Sequence, residues 1–103
     1  MKVVDHEPQI WFLLEDGGAH FLDGNYNHSF LGYDWMIQLS DHEMQQYRQR
    51  GREFIAWLTE DIQNSAPVLR ISESCYKTRR VPNYVYERAS AAIKQWKERR
   101  GDA

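Results

Sequence analysis

Residues 31–43, LGYDWMIQLSDHE, place the tightest constraint on what this chain can fold into. Leu31, Tyr33, Trp35, Ile37 and Leu39 alternate with Gly32, Asp34, Met36 and Gln38, and a period of two held over nine positions predicts a strand with one apolar and one mixed face. Ser40-Asp41-His42-Glu43 follows at once and spells a capping box: the serine hydroxyl can take the Glu43 amide proton while the glutamate reaches back. A strand is therefore expected to hand over directly to a helix. Met44, Tyr47, Gly51, Phe54, Ile55, Leu58 and Ile62 recur at three- and four-residue spacing, so the helix should be amphipathic and run to about Asn64, before Pro67. Gly51 interrupts the stripe at a cost of ~1 kcal/mol relative to alanine, which points to a close backbone approach there.

The flanking segments fit the same plan. Gln9–Glu15 is apolar at five successive positions and ends in Asp16-Gly17-Gly18, a tight hairpin signal. Ala19–Asp23 reads as the return strand, and GNYNHS as a turn or wider loop opened by Asp23-Gly24. Val68–Ser72 is a further strand candidate, and SESCYKTRR a loop. Pro82 suits the first turn of a second helix with the stripe Val85, Ala89, Ala92, Ile93 and Trp96. The small Ala89 and Ala92 are the expected surface against Gly51. Strands grouped before helices imply an α+β class: an antiparallel sheet of three to four strands, formed as an N-terminal meander, with two amphipathic helices packed on one face. The chain should form a single domain over residues 1–103 with frayed ends near 1–6 and 99–103. The other sheet face, carrying Asp34 and Gln38, is expected to stay uncovered.

Few chemistries find a foothold. His20, Asp23, His28 and Asp34 lie within fifteen residues, but no ligand pair has zinc-site spacing, and the expectation is no metal and no cofactor. Asp23 and Asp34 could divide acid and base roles if they met, though Asp-Gly is also ordinary turn chemistry. Cys75 is the only cysteine, so no intramolecular disulfide can form. Lys77, Arg79 and Arg80 follow it without the spacing of a phosphatase loop. Glycine-rich phosphate loops, nucleophile elbows and zincin helices are absent, which moves the expectation away from an enzyme.

Charge is unevenly divided. Residues 1–64 hold four Lys/Arg against eleven Asp/Glu, whereas residues 65–103 hold nine against four. The basic third, with Tyr76, Tyr84 and Tyr86 interleaved, is the mixture that grips nucleic acid, but the acidic remainder opposes a polyanion. MKVVDHEPQI places Asp5, His6, Glu7 and Pro8 where a secretory signal needs an apolar run, and Ile10–Leu14 is too short for a membrane span. The expectation is a soluble, cytoplasmic chain without membrane contact. Richness in tyrosine, tryptophan and arginine favours protein recognition. The leading expectation is a small non-enzymatic protein-binding module that takes a protein partner or self-associates, of the inhibitor, immunity or oligomeric accessory kind. Its expected binding residues are Tyr26, at an exposed loop tip, with His28 and Asp34, and then Arg79 and Arg80. The alternatives are a nucleic-acid binder using the basic third, or a small enzyme using Asp23, His28 and Asp34.

Overall fold

The structure is a computed structural model that describes residues 1–101; residues 102 and 103, at the end expected to fray, lie outside the described residues. Four strands, β1 (Lys2–Glu7), β2 (Trp11–Asp16), β3 (Ala19–His28) and β4 (Leu31–Gln38), form an antiparallel sheet in sequence order. Among the described residues three α-helices follow: α1 (Asp41–Arg50), α2 (Arg52–Ser65) and α3 (Asn83–Arg100). The protein thus has the expected α+β class with an N-terminal meander. The β2–β3 turn is the Gly17-Gly18 pair, at φ 59° and 89°, values that suit glycine in a two-residue hairpin loop. Ser40 caps α1 through the full capping box, its Oγ accepting from the Glu43 amide and the Glu43 carboxylate accepting from the Ser40 amide.

Several expectations need correction. Where a frayed N-terminus was expected, residues Lys2–Glu7 form an edge strand paired with β2, with a bulge between Val3 and Asp5. β3 does not end at Asp23-Gly24. It runs to His28, and the chain turns at Ser29-Phe30, with Ser29 at φ 55°. Beyond Gly24 this strand has outrun β2, which begins at Trp11. The Gln63 side-chain amide takes the place of the missing ladder, accepting from the Asn27 amide at 3.1 Å and donating to its carbonyl. Val68–Ser72 forms turns instead of a strand, because Ala66 at φ 46° redirects the chain. The Lys77 ammonium donates to the carbonyls of Leu69, Arg70 and Ser72. The β4 edge is met instead by Arg80-Val81, through an isolated bridge at Ile37 and a 3.0 Å bond from the Val81 amide to the Met36 carbonyl.

The sheet is covered on both faces, so the expected bare face does not exist. Leu13, Leu22, Trp35 and Ile37 pack under α2 with Phe54, Ile55, Leu58 and Ile62. Leu14, Phe21 and Met36 pack under α3 with Val85 and Ala89. The physical cause lies in the doublets Leu13-Leu14, Phe21-Leu22 and Met36-Ile37, because adjacent strand residues point to opposite faces and both members are apolar. Burying each such side chain is worth about 2 kcal/mol, so neither face tolerates water. With α3 on the face away from α1 and α2, Ala89 and Ala92 do not meet Gly51. Gly51 instead breaks the expected single helix in two: at φ 60° and ψ −139° it caps the end of α1 and the start of α2.

Candidate binding cleft between the sheet and the third helix

Asp23 lies opposite Phe12 on β2 and Met36 on β4, so its side chain shares the face that α3 covers. Asp34 stands two residues before Met36, opposite Asn25, and therefore faces the same way. The two acids are diagonal neighbours across the β3–β4 ladder, within reach of each other's charge. They line a cleft of about 710 Å³. Phe12, Asp23, Asn25 and Asp34 form its sheet wall, while Ser90, Ile93, Lys94, Trp96 and Lys97 form its helix wall. Pro8, Gln9 and Ile10, between β1 and β2, also line the cleft.

An aromatic cluster holds the helix wall in place. His6 packs edge-on to Trp96 with centroids 4.5 Å apart, and Phe12 meets Trp96 at 5.5 Å and 88°. The Lys97 ammonium lies 5.8 Å from the Phe12 centroid, which brings it beside the sheet wall. The stripe of α3 that includes Ile93 and Trp96 thus does more than fill a core. Its next positions, Lys94 and Lys97, carry positive charge to the wall facing two acids.

Asp23 is the unusual group. One of its carboxylate oxygens, Oδ1, is buried with no hydrogen-bond partner. Burial first, and the Asp34 charge second, push its carboxyl from 3.8 up to about 7. Near neutrality Asp23 can accept a cation or a hydrogen-bond donor, or exchange a proton with a bound group. Perturbed carboxyls of this kind, set in a cleft beside a second acid, are a recognised mark of binding and acid–base sites.

The other expected site residues fall elsewhere. Tyr26 is not at a loop tip: it is 1% exposed in the core under α2, its ring lying back over Gly24. Asn25, Asn27 and His28 spell a turn in sequence and disguise a strand whose inward face reads Leu22, Gly24, Tyr26. His28 is exposed beside the turn and shares the parity of Tyr26, on the face opposite Asp23 and Asp34, so it does not join them. The loop-tip aromatic is Phe30, fully exposed, with Leu31 50% exposed next to it. Arg79 is engaged internally, donating to the Glu43 carboxylate at 2.6 and 3.0 Å and to the Gln38 carbonyl at 2.9 Å. Burial opposes the Glu43 charge, but bonds from Arg79 and the Ser40 amide outweigh it and lower the Glu43 pKa. The Arg80 guanidinium stacks 4.4 Å from the Tyr86 centroid and 5.8 Å from that of Trp35. Cys75 is exposed, and among the described residues no three histidine, cysteine or acidic side chains are grouped to hold a metal.

Sequence reasoning paired Asp23 with Asp34 but missed Lys94, Lys97 and Trp96 as the opposing wall. The α3 stripe was visible, whereas the face it covers depends on the apolar doublets in the strands. Among the described residues no helix is long and apolar enough to cross a membrane. No family model, curated protein or solved structure matches the chain.

Proposed function

We propose that this chain is a binding module whose main site is the cleft between α3 and the sheet. Its ligand is dipolar, such as a free amino acid or a peptide end: the cationic group meets Asp23 and Asp34, the anionic group meets Lys94 and Lys97, and the apolar part rests on Phe12 and Ile93. The observation that carries this reading is the Asp23 carboxyl, buried beside a second acid with Oδ1 unpaired. Leaving such a group without a partner costs stability, and a cationic ligand offsets that cost when it binds. The test is titration of isotope-labelled protein with phenylalanine, 3-phenylpropionate and phenethylamine, followed by amide shifts. Phenylalanine should move the amides of Asp23, Asp34 and Lys94, and Asp34→Asn or Lys94→Ala should weaken it about tenfold. Affinity should rise between pH 6 and 8 as Asp23 ionises around its value of about 7. Absence of shifts at the cleft with all three compounds would sink the proposal.

A second reading keeps the expectation of a protein partner or self-association but moves its anchor from Tyr26 to Phe30. Its support is a fully exposed phenylalanine at a hairpin tip, beside the half-exposed Leu31. Sedimentation of the wild type and of Phe30→Ser across a concentration series tests self-association. Concentration dependence lost in the variant supports the tip as the contact, and identical profiles count against it. The basic third gives nucleic acid weaker support, because Arg79 and Arg88 are paired with Glu43 and Asp16, while Tyr76 is buried.

A further inference from the structure

A second cleft, of about 550 Å³, opens on the α2 face of the sheet, with Ile10, Trp11 and Ala56 as apolar walls and Tyr26 and Thr59 among its lining. Tyr26 is 1% exposed and Thr59 7%, and neither hydroxyl has a hydrogen-bond partner. The Tyr26 Oη lies over Gly24, the residue that pairs with Trp11 on one side and Trp35 on the other, so the phenol end of the ring sits in the row that includes the Trp11 wall. A core under α2 has no packing need for these two hydroxyls. Phenylalanine and valine would fill almost the same volume without the penalty of burying an unpaired polar group. Two such penalties bordering one apolar cleft indicate that the hydroxyls have work there as donors or acceptors to a bound group.

The rim limits the charge of that group. Glu7, Glu53 and Glu60 stand against a single cation, Arg52, whose guanidinium is already bonded to Asp5 at 2.9 Å and Glu7 at 2.9 Å. Anions are therefore repelled, while an amine has Glu60 available, with Glu53, 3.8 Å from Arg50, beside it. We infer that this cleft binds a small aromatic amine that carries a hydroxyl: its ring rests on Ile10, Trp11 and Ala56, its hydroxyl meets Tyr26 and Thr59, and its ammonium lies toward the acidic rim.

The probe is tyramine, titrated into isotope-labelled full-length protein, with 4-hydroxyphenylacetate as the anionic counterpart of similar shape. Tyramine should shift the amides of Ala56 and Thr59, which line this cleft and not the one under α3, and the acid should bind at least about tenfold more weakly. Tyr26→Phe and Thr59→Val should each weaken tyramine about fivefold to tenfold while leaving the melting temperature at or above that of the wild type. Asp23→Asn should leave the tyramine-induced shifts of Ala56 and Thr59 unchanged, which separates this cleft from the one under α3. The inference is overturned if those amides do not move, or if the acid binds as tightly as the amine. It is also overturned if both variants melt earlier and bind equally well, since the hydroxyls would then serve the fold through enclosed water.

Discussion

Single residues in β3 hold the main departures from expectation, and Asp23 and Gly24 show why. The carboxyl of Asp23 is raised from 3.8 to about 7 in the folded protein. Between those two values the folded state keeps a proton that the unfolded chain has lost. Native protein therefore binds more protons than unfolded protein, and stability falls as pH rises through the window. Above about 7 the full cost of a buried charge is present. Across a window of about three pH units, at about 1.4 kcal/mol per unit, that cost is at most a few kcal/mol. Asp23→Asn should match the wild type near pH 3 and exceed it by a margin that grows up to about pH 7 in urea unfolding. Equal pH dependence in the two proteins would show that Asp23 is not its source. Gly24 is required for a different reason: a Cβ there would stand 2.1 Å from the Tyr26 Oη and 2.2 Å from its Cζ. The buried ring must shift to admit that Cβ, so Gly24→Ala should cost about 2 to 3 kcal/mol by thermal unfolding, and Tyr26→Leu in the same chain should recover part of the loss. A neutral Gly24→Ala would mean that the ring does not lie over the strand.

At the scale of elements, α1 and α2 share one apolar stripe in sequence yet are two helices in space. Gly51 sits at φ 60°, a conformation that side-chain-bearing residues rarely adopt, and a Cβ there would meet nothing within 4 Å. Its importance is thus backbone conformation and not close contact. Gly51→Ala should lower stability by about 1 to 2 kcal/mol, with Gly51→Leu costing no more, as measured by chemical denaturation. A much larger loss for leucine would reveal a neighbour packed against this position. The break also frees Arg52, at the start of α2, to reach β1. Its guanidinium bonds Asp5 and Glu7 and lies 5.2 Å from the Trp11 centroid. The strands were partly legible for a related reason. The β4 alternation and the Gly-Gly turn are local signals, whereas the outer half of β3 is spelled in asparagine, histidine and glycine, residues that suit turns. Pairing with β4 on one side, and the Ile10 carbonyl and Gln63 amide on the other, make that half extended.

The whole molecule turns an uneven charge sequence into a partly self-neutralised body. Arg79 pairs with Glu43, and Arg88 with Asp16 at 2.5 Å, so basic residues from the last third meet acids from the first two thirds. The same assembly leaves Asp23 and Asp34 facing Lys94 and Lys97 across a cleft instead of closing them into ion pairs. This cleft was legible only in part. Its acids were visible as candidates, and its helix wall was visible as the flank of an apolar stripe. Their meeting depended on α3 crossing to the far face of the sheet, which no single segment specifies.

The sequence by itself determined the α+β class, the meander, the capped entry to α1 and the stripe of α3, because each is written in spacing between near neighbours. Tertiary structure alone decided that the sheet is covered twice, that Tyr26 is interior while Phe30 is exposed, and that Asp23 is buried beside Asp34. Those outcomes depend on which surfaces exclude water together. That is a property of residues brought together from opposite ends of the chain, as Asp23 and Lys97 are, and it has no local period to read.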